Sequence, residues 1–232
     1  MKAEERKKYL AFIKFEDISF SYPGQEKLIE DLTLEFEKGQ FTAVMGENGS
    51  GKTTIGKLMV GILKPTSGAV FLGSENLSDI SLGRVGSRVG YLFQNPELQI
   101  FATTVAEELS FIPVLKDIDE EKINSEVNEV LNLFSLSSKK ESIIYNLSYG
   151  EKQRLALAGI LINKPEYIIL DEPTTGLDFL RRQQLLSIMK ELLLRGIGIT
   201  VISHDEKFIK NFKGNILKVR RDGIVRTSIK KL

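Results

Sequence analysis

Eight residues, GENGSGKT from Gly46 to Thr53, set glycines at 46, 49 and 51 around two hydroxyl side chains and a lysine. Glycines let a backbone curl until successive N–H groups converge, and a helix that starts at the curl adds the positive end of its dipole. Such a curl holds anionic oxygens. Lys52 supplies a point charge for β- and γ-phosphates, and the Thr53 hydroxyl suits Mg²⁺, so the chemistry indicated is nucleotide binding. Glu47 and Asn48 occupy free positions of the pattern. The flanks agree with this reading, since the apolar run FTAVM precedes the motif and GKTTIGKLMVGIL continues it with helical periodicity.

Two more apolar runs end in groups that complete such a site. YIILDEP closes on Asp171 and Glu172. The first carboxylate can hold Mg²⁺ through water; the second, next along and turned differently, can polarise the attacking water as general base or by orientation. An acidic pair after a strand is by itself more often a turn or a helix cap, and it is the phosphate loop that makes this one a catalytic candidate. VISHD closes on His204. In parallel α/β sheets ligands gather at the carboxyl ends of strands, which brings His204 to the edge of Gly46 and Asp171, within reach of the γ-phosphate or the attacking water. Tyr22, at the end of ISFSY, is a candidate to lay its ring on adenine, or else an edge-strand aromatic.

These groups need a scaffold. FTAVM, YIIL at Tyr167 and ITVIS at Ile199 are continuously apolar and β-branched, as strands covered on both faces are. ISFSY and LTLEFE from Leu32 instead alternate, and the turns at Pro23-Gly24 and Lys38-Gly39 make them antiparallel. Helical patterns lie between: the run after the phosphate loop, Val127, Val130, Leu131 and Phe134, an Ala/Leu-rich run from Leu155, and LLSIMKELLL. The expected fold is a single α/β domain over residues 1–232. Residues 1–93 and 164–232 form a parallel core with an N-terminal antiparallel β portion, and 94–163 form an inserted helical subdomain. The first charged residues read as a solvated tail, and VRRDGIVRTSIKKL as a β-hairpin around Asp222-Gly223 with a basic end.

Composition narrows the function classes. With 32 Lys+Arg against 31 Asp+Glu, the net charge of +1 provides no global field toward nucleic acid or an anionic membrane. Absence of cysteine and a single histidine exclude disulfides, thiolate metal sites and multi-histidine zinc, and suit a reducing cytoplasm. No apolar run approaches the ~20 residues that cross a bilayer, and MKAEERKKY does not read as a signal peptide. Work at a membrane is therefore expected from its cytoplasmic face.

Together with NLSYGEKQRLALAG and TTGLD, these motifs make the chain resemble the nucleotide-binding subunit of ABC transporters over nearly its whole length. The resemblance implies an ABC-type ATPase fold and two such domains arranged head to tail around ATP and Mg²⁺. Ser148 and Gly150 of the signature would then serve the partner's nucleotide, and Asp178 would lie near the interface. It implies nucleotide contacts from Tyr22, Gly46, Asn48, Gly49, Ser50, Gly51, Lys52, Thr53, Thr54, Gln94 and Asp171, metal ligation by Thr53, Gln94 and Asp171, and catalysis by Glu172, His204, Lys52 and Gln94. Tyr149 stands where the family usually has glycine and Glu151 where it usually has glutamine, which points to a non-identical partner subunit.

Gln94 falls at the family's Q-loop. The following QNPELQIFATTVAEELSF is similar to the helix found after the Q-loop in ATPases of energy-coupling factor importers. That group takes up vitamins and transition-metal ions through a shared transmembrane coupling protein and a separate substrate-binding membrane protein. Ile100, Phe101, Val105 and Leu109 either pack inward as an ordinary helix or form a groove for a coupling helix of the membrane subunit. The function expected is thus an ATP-hydrolysing subunit of an energy-coupling factor importer without a nucleic-acid partner. Alternatives are the ATPase of another ABC importer or exporter, or a soluble ABC ATPase acting on ribosomes or DNA.

Overall fold

The computed structural model describes residues 11–220 and 223–229. In chain order the strands are β1 (Ile13–Phe20), β2 (Ile29–Phe36), β3 (Phe41–Gly46), β4 (Ser67–Leu72), β5 (Glu75–Asn76), β6 (Val89–Leu92), β7 (Tyr167–Asp171), β8 (Gly198–Ile202), β9 (Gly214–Arg220) and β10 (Gly223–Ile229). The helices are α1 (Lys52–Met59), α2 (Leu82–Gly86), α3 (Val105–Leu115), α4 (Glu120–Leu133), α5 (Tyr149–Ile162), α6 (Phe179–Leu194) and α7 (Glu206–Ile209).

Two sheets result. The larger has the order β10-β9-β3-β8-β7-β6, parallel throughout except for the antiparallel β10 at its edge. The smaller is antiparallel, β2-β1-β4-β5, with Ile13 of β1 facing Phe36 on one side and Leu72 on the other. Successive strand residues point to opposite faces, so the parallel strands feed two separate cores. Tyr167 and Ile169 join Val44 and Ile202 in the core shared with α1 and the antiparallel sheet; Ile168 and Leu170 join Ala43, Ile199 and Val201 in the core shared with α3 to α6. Burial on both faces is why these strands read as unbroken apolar runs.

Between β6 and β7 the described residues form helices α3, α4 and α5, with one isolated bridge, Thr104 to Ile143. The helix expected directly after Gln94 is shorter than its apolar pattern. Pro96–Leu98 make a 3₁₀ turn capped by Asn95, and α3 starts only at Val105. Its start is set by a reciprocal cap, in which the Thr104 hydroxyl accepts from Glu107 N–H while the Glu107 carboxylate accepts from Thr104 N–H. α5 starts earlier than its Ala/Leu-rich stretch, at Tyr149, through the same kind of cap between Ser148 and Glu151. β4 and β5 complete the antiparallel sheet and are not foreseen in the sequence reading. The proposed N-terminal tail, the tip of the C-terminal hairpin at Asp222 and the basic end lie outside the described residues.

Ile169 is fully buried in the middle of β7, the strand that ends in Asp171. Ile169→Ala should cost about 2–5 kcal/mol, a fall of several degrees in melting temperature by calorimetry; an unchanged midpoint would contradict this packing.

Candidate active site

Parallel pairing puts the carboxyl ends of β3, β7 and β8 at one edge, and each end carries one part of the site. After β3 the chain curls and α1 begins at Lys52 from a helix cap, Gly51, whose φ of 99° lies in the left-handed region. A side chain there would be strained. The curl closes on the lysine itself: Lys52 Nζ donates to the carbonyls of Gly46 at 2.9 Å and Glu47 at 2.7 Å, almost wholly buried. Ser50 Oγ is buried in the same loop with no hydrogen-bond partner among the described residues. A buried hydroxyl without a partner is costly, and a phosphate oxygen would satisfy it.

β7 delivers two carboxyl groups that meet different surroundings. Asp171 is only 2% exposed and accepts from Thr53 Oγ1 at 2.8 Å and from Tyr91 Oη at 3.4 Å. Burial pushes its carboxyl above the ordinary range; the Thr53 hydrogen bond opposes the rise and the neighbouring Glu172 adds to it. Burial and Asp171 together hold the Tyr91 phenol firmly protonated. The hard oxygens of Thr53 and Asp171, side by side in a desolvated place, form a donor set that suits Mg²⁺. A cation there would also relieve the buried charge.

Glu172 turns away from that pair. Its backbone takes φ 49°, uncommon for a residue with a side chain. The turn is held from three sides: Glu172 N–H donates to the Ile202 carbonyl at 2.8 Å, and Gln153 Nε2 of α5 donates to the carbonyls of Glu172 at 3.4 Å and Pro173 at 3.0 Å. At the other end Ser203 Oγ donates to Glu172 Oε2 at 2.9 Å, and His204 Nδ1 lies 2.8 Å from Oε1. A carboxylate only accepts, so Nδ1 carries the proton toward Glu172. The imidazole is 74% exposed and its Nε2 remains free to meet a ligand. Ser203, Gln153 and Tyr91 were not singled out from the sequence; nothing in their spacing marks them.

A cleft of about 460 Å³ gathers Tyr22, Asn48, Gly49, Gly51 to Thr54, Gln94, Asp171 and Glu172. Gly46, Ser50 and His204 line a second cleft on the other side of the loop, which Asn48 also borders. Tyr22 packs edge-on against Phe20, 4.9 Å between ring centroids, and its hydroxyl bonds Thr54 Oγ1 at 3.0 Å. Ser148 and Gly150 border neither cleft. A family model described as ABC transporter matches residues 29–175. The chain belongs to the ABC transporter ATP-binding family. The putative ABC transporter ATP-binding protein TTE1589 of Caldanaerobacter subterraneus is 37% identical over 91% of the chain, and the chain spans 37% of that relative's length. The energy-coupling factor transporter ATP-binding protein EcfA of Methanothermobacter thermautotrophicus is 38% identical over 86% of the chain, which spans 65% of it. Among solved structures, cbiO1 of Clostridium perfringens, part of the ABC transporter complex cbiONQ, superposes with a TM-score of 0.83 at 28% identity, covering 95% of this chain and 90% of that one.

The segment NLSYGEKQRLALAG runs into α5. At its start the Glu151 carboxylate accepts from both the N–H and the hydroxyl of Ser148, each at 2.8 Å, which pulls its pKa down, with Lys139 nearby at 3.5 Å. Glutamate at 151 thus has a local reason, the cap of α5.

Asp171→Asn tests the buried charge. A raised folded-state pKa means that the ionised carboxylate opposes folding at neutral pH, and the opposition fades as pH falls through that pKa. The variant should melt higher than wild type at pH 7 without nucleotide, read by calorimetry. The gap should narrow in acid; a lower midpoint at pH 7 would show that burial does not dominate.

Proposed function

We propose that this chain binds and hydrolyses ATP as the nucleotide-binding subunit of an energy-coupling factor importer of vitamins or transition-metal ions. The observation that carries the ATPase reading is the single cleft that joins the phosphate loop to Asp171, Glu172 and Gln94. In this reading the N–H groups of residues 49–53 and the Lys52 ammonium bind the phosphates, and the Tyr22 ring meets adenine. Thr53, Asp171 and Gln94 hold Mg²⁺, which when bound neutralises phosphate charge. Glu172 orients the attacking water and accepts its proton as the water oxygen bonds the γ-phosphorus and ADP leaves. Ser203 and His204 keep the Glu172 carboxylate in place through the 2.9 Å and 2.8 Å contacts, which leaves His204 Nε2 available to a γ-phosphate.

Ser148 and Gly150 serve the nucleotide of a second ATPase subunit, identical or related, and Asp178 lies near that interface. Hydrolysis removes the γ-phosphate that both halves share, and the pair opens. The importer type is supported by the likeness to EcfA and cbiO1 and by an apolar surface around Phe101. Val105 and Leu109 are fully buried, so the inward-packing reading holds for them. Phe101 does not follow: it is 63% exposed and stacks edge-on with Phe111 at 4.6 Å. Leu98, Val114 and Leu115 are exposed too, and a cleft of about 350 Å³ opens between Phe101 and Ile112 on one side and Ile62, Leu82 and Ile160 on the other. An apolar cleft of that kind suits a short amphipathic helix of a membrane subunit. No helix of the described residues is long and apolar enough to cross a membrane, which agrees with attachment at its cytoplasmic face.

Glu172→Gln should abolish ATP turnover while leaving the affinity for a fluorescent ATP analogue within about twofold; undiminished turnover would remove Glu172 from the mechanism. Purification in mild detergent from native membranes should yield a coupling protein, a small substrate-binding membrane protein and a second ATPase. Phe101→Ser with Leu115→Ser should release that assembly. Recovery with a permease of two membrane subunits would leave the ATPase reading intact and overturn the importer type.

A further inference from the structure

Three loops that belong to different parts of the chain meet at Tyr149. Its phenol donates to the Gln94 carbonyl at 2.7 Å, fifty-five positions away in sequence. Its ring lies close enough to Gly176, after the Glu172 turn, that a Cβ at 176 would come within 2.7 Å of Cδ1. A side chain at 176 would push the ring away. One helical turn along α5, Lys152 makes an ion pair at 2.5 Å with Glu97 of the 3₁₀ turn after Gln94. Where the family usually carries glycine at 149, no side chain would exist to make the first two contacts.

We infer that Tyr149 is a positioning residue for Gln94, a clasp that makes the Q-loop and the signature of one chain move as one body. Holding the Gln94 carbonyl fixes the peptide plane between Gln94 and Asn95, and with it the direction in which the Gln94 side chain leaves toward the phosphate cleft that it lines. Displacement of residues 95–101 is then passed to the N-terminus of α5 without involving the β-sheet. The inference needs neither ATP turnover nor any partner, so its failure is separable from failure of the proposed function.

Hydrogen exchange of the nucleotide-free protein, read by mass spectrometry, tests it. Tyr149→Phe keeps the ring and removes the hydroxyl. Amides of residues 95–101 should exchange about two- to tenfold faster, the span expected for losing one hydrogen bond. Peptides from β7 should exchange as in wild type and the overall melting temperature should fall by no more than about 2–4 °C, which a general loss of structure would not allow. Lys152→Met, which removes the ion pair and leaves the phenol, should speed the same peptides by a smaller factor. Wild-type exchange at residues 95–101 in Tyr149→Phe would overturn the clasp, as would equal acceleration across β7.

Discussion

The hydrogen bond from Thr53 Oγ1 to Asp171 Oδ2 joins two strand ends that are not neighbours, because β8 runs between β3 and β7. It can form only if the parallel sheet is assembled, the loop after β3 is curled and α1 has begun at Lys52. Asp171 in turn is too deeply buried for water to solvate it, so its charge must be met by Thr53, Tyr91 and whatever cation the site takes. The fold therefore concentrates its unfavourable electrostatics at one sheet edge. That edge is where a ligand that brings a cation has most to offer.

Glu172 shows the same economy in backbone geometry. A positive φ on a glutamate costs of order 1–3 kcal/mol, and the cost is tolerated because the Ile202 carbonyl, Gln153 and the carboxylate's own partners all act on it. Two consecutive carboxylates thereby serve different ends: one stays beside Thr53, and the other is swung toward Ser203 and His204. On a regular strand the two would simply point to opposite faces; here β7 ends at Asp171 and Glu172 leaves it at φ 49°, toward the end of β8.

Much of this was legible in the residues because its causes are local. A curl needs glycine, a doubly covered strand needs β-branched apolar residues, and strand ends of one parallel sheet share an edge, so Gly46, Asp171 and His204 converge without further information. What escaped the reading depends on distant partners or short elements. SGAVFL of β4 is exposed at its first two residues and too short to show a period. α3 hides behind the apolar Ile100 and Phe101, although the Thr104 to Glu107 spacing, T-x-x-E, is a visible start signal. Gln153, almost fully buried in α5, looks like any polar residue of a charged helix until the fold brings the Glu172 carbonyl to it. Chemistry that resides in motifs can be read from sequence; support that arrives across the chain cannot.

That support has a direction. α5 touches the core through Gln153 at the strained Glu172 turn, through Tyr149 at Gln94 and Gly176, and through Lys152 at Glu97. All these contacts are polar or small, and each is made by one of the first five residues of the helix, while its later residues Leu155, Ala158 and Ile162 are buried in the apolar core with α3 and α4. A dense apolar core resists distortion and moves as a block, whereas single hydrogen bonds of about 0.5–1.5 kcal/mol each can be exchanged. Force applied to the exposed face at Phe101 and Phe111 would thus be carried rigidly through the helices and released at the N-terminus of α5. The Gln153 hydrogen bonds that hold the Glu172 turn are the yielding elements there, which puts the mechanical weak point of the domain beside its carboxylates.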